Sequence, residues 1–226
     1  MVLLVPDSEA RVRIARRIAG EFAAQGRKLV INLGVGIPTM VANYIQGSNI
    51  FIQAENGMLG VGRLAAEDRI DRQLINAGRQ PVTETPGCSY FDSATSFGMI
   101  RGGYVDATVI GAFEVDQEGN IANWINPAGK QLGVGGAMDL VTGAKQVIVG
   151  MQHNTRDGKA KLVRRCSMPI TGYSEVDMVV TELGVFYFRG GRLVLEEIAP
   201  EVSLETLTAL TEADFVVSKD LKALPD

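Results

Sequence analysis

Ile50-Phe51-Ile52-Gln53-Ala54-Glu55-Asn56-Gly57-Met58-Leu59-Gly60-Val61-Gly62 is the stretch whose reading decides the fold. Its first three residues are apolar and β-branched or aromatic, the composition of a buried strand. The strand runs into a carboxylate, Glu55, and glycines follow at Gly57, Gly60 and Gly62. Glycine lets the backbone take positive φ and pass close to a ligand. Open α/β sheets place their chemistry at the carboxyl ends of strands, which is where Glu55 falls. A solvated Glu beside an ordinary Gly turn has the same spacing, so this stretch alone leaves both readings open.

Working outward, the same grammar recurs upstream. Leu29-Val30-Ile31 reads as a buried strand that runs into Asn32-Leu33-Gly34-Val35-Gly36-Ile37-Pro38, a Gly-x-Gly turn with proline at a helix start. A third glycine and a P-loop lysine are both missing, so it fails as a nucleotide fingerprint. It still suits the wall of a site, with Asn32 at the carboxyl edge of its strand. Before it, residues 8–24 carry apolar positions at helical spacing, with Ser8 as the expected cap and Gly26 as the stop.

Downstream, residues 67–77 read as a helix burying Ile70, Leu74 and Ile75, Pro86-Gly87 as a turn, and residues 89–100 as a helix. Residues 105–113 are the strongest strand pattern and are expected at the sheet centre. Residues 133–141 form a second glycine-dense turn entering a helix. Short strands follow at 146–151, 161–163 and 178–180, then a hairpin around Gly190-Gly191, a helix at 204–209 and a strand at 215–217. The alternation predicts one domain over residues 1–226. Its fold class is α/β: an open, mostly parallel sheet with helices on both faces and an antiparallel hairpin near the C-terminus.

Composition narrows the chemistry. Of 226 residues, 46% are hydrophobic and 21% charged, with a net charge of −4. No basic block offers a surface for nucleic acid or anionic membrane. No apolar run nears the roughly 20 residues that span a bilayer, and the opening apolar residues end at Pro6-Asp7, too soon for a signal peptide. A cytoplasmic chain is expected. Cys88 and Cys166 are too few for a disulfide framework or a metal site. His153 is the only histidine and sits in a polar stretch expected to be a surface turn. Histidine-based catalysis and histidine-built zinc sites would both rest on that one residue, which leaves carboxylates as the leading catalytic candidates. Trp124, between Asn123 and the Asn126-Pro127 pair, reads equally as core or as ligand contact.

Taken together, Asn32-Leu-Gly-Val-Gly-Ile-Pro-Thr39, Glu55-Asn-Gly-Met-Leu-Gly60, Ile100-Arg-Gly-Gly103, Ala122-Asn-Trp124, Gly135-Gly-Ala-Met-Asp-Leu-Val141 and Val180-Thr-Glu-Leu183 stand in one order. In that order they resemble the β subunit of class I, 3-oxoacid-type coenzyme A transferases, over about residues 8–218. The resemblance implies the fold this family shares with sugar-phosphate isomerases and a ping-pong transfer of CoA between an acyl-CoA and a short-chain acid. No cofactor is implied, CoA being a substrate. A separate α subunit is implied as partner in an α2β2 assembly.

By resemblance Glu55 is the nucleophile and the Gly136 N–H an oxyanion donor. Asn32, Gly34, Gly36, Asn56, Gly57, Arg79, Asn123, Gly135 and Ala137 are implied to contact CoA or the acid. Ala54 departs from the Ser usual before the nucleophile, Arg63-Leu64 from a frequent Pro-rich turn, and Asn126-Pro127-Ala128-Gly129 from the usual Ile-Pro-Gly. The uncharged 126–128 segment points to small aliphatic acids, while Arg79 is left open between clamping a second carboxylate and facing the CoA phosphates. An acyl-CoA hydrolase on the same site, and a phosphosugar isomerase or non-catalytic binding subunit on the same fold, are the alternative readings.

Overall fold

The computed structural model describes residues 5–125 and 133–225. In chain order the elements are α1 (Asp7–Ala23), β1 (Leu29–Leu33), α2 (Ile37–Val41), β2 (Ile50–Ala54), β3 (Met58–Leu64), β4 (Val82–Tyr90), α3 (Ser93–Arg101), β5 (Ala107–Ile110), β6 (Glu114–Asp116) and β7 (Ile121–Ala122). They continue with α4 (Ala137–Gly143), β8 (Val147–Gly150), β9 (Leu162–Val163), β10 (Met178–Val180), β11 (Gly184–Arg189), β12 (Arg192–Ile198), α5 (Leu204–Ala209) and β13 (Val216–Ala223). Ten strands form one sheet in the order β13-β12-β11-β10-β8-β5-β1-β2-β3-β4, and β7-β6-β9 form a small second sheet.

The middle of the large sheet is parallel: β10, β8, β5, β1 and β2 all run one way. Its strands are near-continuous apolar runs because both faces are covered. β1 shows the division directly. Leu29, Ile31 and Leu33 join the core beneath α1 and α2, while Val30 packs with the cluster of Ile100, Val105 and Leu140 beside α3 and α4. Alternate residues of a strand point to opposite faces, so each face carries its own helical layer.

Antiparallel strands flank the parallel centre on both sides. The β11–β12 hairpin was expected, and it forms around Gly190-Gly191, both with positive φ. The other flank, β2-β3-β4, was not expected. Residues after Glu55 turn straight back as β3 instead of entering a helical layer, and β4 occupies the edge. Pro86-Gly87, read as a turn, lies inside β4, where a proline is tolerated because an edge strand leaves N–H groups unpaired. The helix expected over residues 67–77 is only a single 3-10 turn at Glu67–Arg69, and Ile70 is exposed. The expected helix at 89–100 begins at Ser93, capped by Asp92, whose carboxylate accepts the Thr95 N–H at 2.7 Å. Helix α1 starts one residue early, with Pro6 rather than Ser8 at its cap position. The 105–113 strand is shorter than expected at Ala107–Ile110, but it does lie in the parallel centre.

Candidate active site

Glu55 sits in the tight turn between β2 and β3, at the carboxyl end of a parallel strand. The turn is closed by the Gly57 N–H donating to the Ala54 carbonyl at 3.0 Å. Gly57 has φ 120°, and a Cβ there would stand 2.0 Å from the Phe91 carbonyl oxygen. No L side chain fits, so the glycine is demanded by the fold.

Beneath the turn lies a buried amide network. The Asn32 Nδ2 group donates to a Glu55 carboxylate oxygen at 3.2 Å, to the Gln53 side-chain oxygen at 2.9 Å and to the Gln53 carbonyl at 3.2 Å. Gln53 donates on to the Ser96 hydroxyl at 2.8 Å. Asn32, Gln53 and Ser96 are all buried. Parallel pairing makes this geometry, since Asn32 is in register with Gln53 on one side and Thr108 on the other. Two oxygens of this floor, Asn32 Oδ1 and Thr108 Oγ1, are buried without a hydrogen-bond partner among the described residues. Such orphans are uncommon in finished cores.

Above the floor opens a cavity of about 760 Å³. Of the residues implied to bind or react, Glu55, Asn32, Gly34, Gly36, Arg79 and Asn123 line it, and so do Gly135, Gly136 and Ala137 from the turn entering α4. The approach of that turn is close: a Cβ on Gly136 would lie 3.5 Å from Cγ of Glu55. The Gly136 N–H makes no hydrogen bond among the described residues. Two implied residues fall elsewhere. Asn56 is exposed and Gly57 buried, and neither is on the cavity wall.

Asn123 lines the cavity but its side chain is committed to structure. It donates to the Gly111 carbonyl at 3.3 Å and accepts the Thr171 hydroxyl at 2.7 Å. Arg79 is exposed and holds φ 60°, a left-handed conformation that costs a non-Gly residue roughly 1 kcal/mol or more. A second, mostly apolar cavity of about 330 Å³ adjoins the first, sharing Val35, Gly36, Ala77 and Gly78 with it. The segment Asn126-Pro127-Ala128-Gly129 lies outside the described residues.

His153 corrects a sequence expectation. It is fully buried, its ring nitrogens within hydrogen-bond distance of the Thr181 and Thr211 hydroxyls at 3.1 and 2.9 Å. Burial pushes its pKa down to about 3, with the nearby Lys161 charge adding to the shift. It is a neutral core residue off the cavity wall. Trp124 is half-buried and also off that wall. Sequence reading missed Gln53, Ser96, Thr108 and Lys161. Gln53 did carry a signal, as a polar residue at the end of the apolar run Ile50-Phe51-Ile52, and Thr108 a weaker one, as a hydroxyl inside the apolar run of β5.

The family model for coenzyme A transferase matches residues 15–209. This chain belongs to the coenzyme A transferase family. It is 52% identical over 216 residues to the β subunit of the acetate CoA-transferase of Haemophilus influenzae, covering 95% of each chain. To the smaller-chain relative from Helicobacter pylori, one subunit of its succinyl-CoA:3-ketoacid coenzyme A transferase, it is 45% identical over 207 residues, covering 92% of this chain and 99% of the other. Among solved structures, an acyl-CoA transferase of Escherichia coli O157:H7 superposes with a TM-score of 0.76 at 24% identity, over all of this chain and 45% of that one. The decarboxylase AibA/AibB shares the fold at a TM-score of 0.65 and 22% identity. The family match removes the phosphosugar isomerase alternative for this coenzyme A transferase chain. The decarboxylase shows that the fold by itself does not choose the reaction.

Proposed function

We propose that this chain carries the nucleophile of a CoA transferase and moves CoA between an acyl-CoA and a short-chain acid through a glutamyl–CoA thioester. The observation that carries the reading is the Glu55 carboxylate. It stands on the wall of a large cavity, held by the Asn32 amide at 3.2 Å, with the Gly136 turn against its Cγ. In the first step a Glu55 oxygen attacks the thioester carbonyl, the C–S bond breaks, and CoA leaves as thiolate from a mixed anhydride. The thiolate then attacks the glutamyl carbonyl and the first acid leaves as carboxylate. The acceptor acid repeats both steps in reverse. No proton moves, so no histidine base is needed, and covalent catalysis by carboxylate asks for no metal or redox group.

Each attack creates an oxyanion. The N–H of Gly136, next to Glu55 and without a hydrogen bond among the described residues, is suited to receive it, and removing one such donor costs about 3 kcal/mol in a barrier. A second donor and the far wall are assigned to an α subunit. The names of the relatives support this, since each is one subunit of a larger enzyme. So do Val35, 66% exposed on the cavity wall, and Met138, 40% exposed one residue past Ala137, apolar groups that a partner would cover. Acetate and similarly short aliphatic acids are the proposed substrates, in line with the name of the 52% identical relative.

Initial rates of the α/β complex test the mechanism. Parallel double-reciprocal lines for acyl-CoA and acceptor acid are expected, because the first product leaves before the second substrate binds. Intersecting lines would refute a covalent CoA–enzyme intermediate. Release of free CoA at an equal rate with no acceptor present would make the protein a hydrolase instead.

A further inference from the structure

Lys161 lies in the same cavity as Glu55, and nothing in the transfer chemistry uses it. It comes from the segment leading into β9, with its N–H on the His153 carbonyl at 3.3 Å, just past the end of β8. The side chain is partly buried, yet its ammonium makes no hydrogen bond, and no ion pair within 4.0 Å, among the described residues. The Glu182 carboxylate favours its charged form electrostatically, against the effect of burial. Glu182 is itself buried and occupied, accepting the His153 N–H at 2.9 Å. Burial pulls the Lys161 pKa down to about 8, the cost of an ammonium short of partners. Arg11 also lines the cavity but is already paired with Asp7 at 2.9 Å. A partly desolvated cation facing an open cavity is suited to an anion delivered by a ligand.

The sheet sets the backbone spacing between the two sides of this cavity. Glu55 follows β2 and His153 follows β8, and the order β8-β5-β1-β2 puts three strand spacings between them. At about 4.8 Å each, that is roughly 14 Å. The two carboxyl carbons of a four-carbon diacid are only about 3.8 Å apart, a distance of three bonds. The pantetheine arm of a CoA thioester puts about thirteen bonds, roughly 16 Å when extended, between its sulfur and the first phosphorus. We propose that Lys161 binds a phosphate of the CoA thioester while its acyl carbon is held at Glu55. This rests on the function proposed above, and it assigns Arg79, at the exposed rim, no part in the phosphate site.

The test uses the α/β complex with acetyl-CoA and with acetyl-pantetheine, which has the arm and no phosphate. Lys161→Met is expected to raise KM for acetyl-CoA on the order of tenfold or more, with kcat within about threefold, and to leave acetyl-pantetheine kinetics unchanged. Lys161→Arg should restore most of the loss. Equal losses on both thioesters, no loss on acetyl-CoA, or a loss confined to succinate as acceptor would each overturn the assignment. Calorimetric titration of CoA itself into wild-type and Lys161→Met complexes gives a readout without turnover. Weaker CoA binding in the variant upholds the site even if the transfer chemistry is wrong, and identical binding refutes it.

Discussion

Glu55 is placed by one amide, and that amide is shared. Asn32 has two N–H hydrogens and three acceptors within 3.2 Å, so Gln53 fixes where the Asn32 amide points before any substrate arrives. Gln53→Leu removes an acceptor from Asn32 and a donor from Ser96 in a buried site. A loss of about 1–3 kcal/mol is expected, visible as a lower urea midpoint. Glu55→Asp keeps the charge and withdraws the attacking oxygen by about 1 Å, which should cost on the order of 100-fold in kcat while the fold stays intact by circular dichroism. His153 gives the chain a pH dependence unrelated to catalysis. Its pKa is about 3 when folded, below the usual 6.5, so the unfolded chain takes up a proton that the folded chain refuses. Stability from this group is therefore complete above pH 6.5 and falls as pH drops toward 3, by about 2 kcal/mol between pH 7 and pH 5. Denaturant melts at the two pH values should show that loss in the wild type and a smaller one in His153→Gln. Equal losses would contradict it.

At the scale of elements, the turn between β2 and β3 is the part with least freedom. Gly57→Ala drives a methyl into the Phe91 carbonyl at φ 120° and is expected to cost more than about 4 kcal/mol or prevent folding. Gly87→Ala in β4 is the control: φ is also positive, at 84°, but no atom lies within 4 Å, so about 1–2 kcal/mol is expected. Thermal melts of both variants compare them directly. The carboxyl-end position of Glu55 was legible because a β-branched run ending at a charged residue marks a strand end. Its hairpin was not. The Pro86-Gly87 pair hides β4, since an edge strand tolerates what a central strand does not. Ile70, Leu74 and Ile75 imitate a helical face, but no helix forms around them and Ile70 remains exposed. His153 was misread because its polar neighbours suggest a turn, whereas its ring enters the core through Thr181 and Thr211, 28 and 58 residues away in sequence.

For the whole molecule, the parallel centre explains why residues so distant in sequence share one cavity. Strands β2, β1, β5 and β8 all end on the same side, so Glu55, Asn32, Gly111 and Gln152 reach its wall together. That cavity is open, with Val35 exposed on its wall and Met138 exposed beside it, so the isolated chain is expected to be inactive and to gain transferase activity on titration with an α subunit, saturating at one α per chain. Full activity of the chain alone would place both oxyanion donors within it. The central claim is that Glu55 is transiently held as a thioester with CoA. The complex is to be incubated with acyl-CoA, quenched with borohydride, digested and mapped by mass spectrometry. The account predicts that Glu55 alone is reduced to the alcohol, 14 mass units lighter by simple formula arithmetic (about −14), and only when acyl-CoA was present. An unmodified Glu55 beside a mark at another residue, under conditions where the complex turns over, would contradict it.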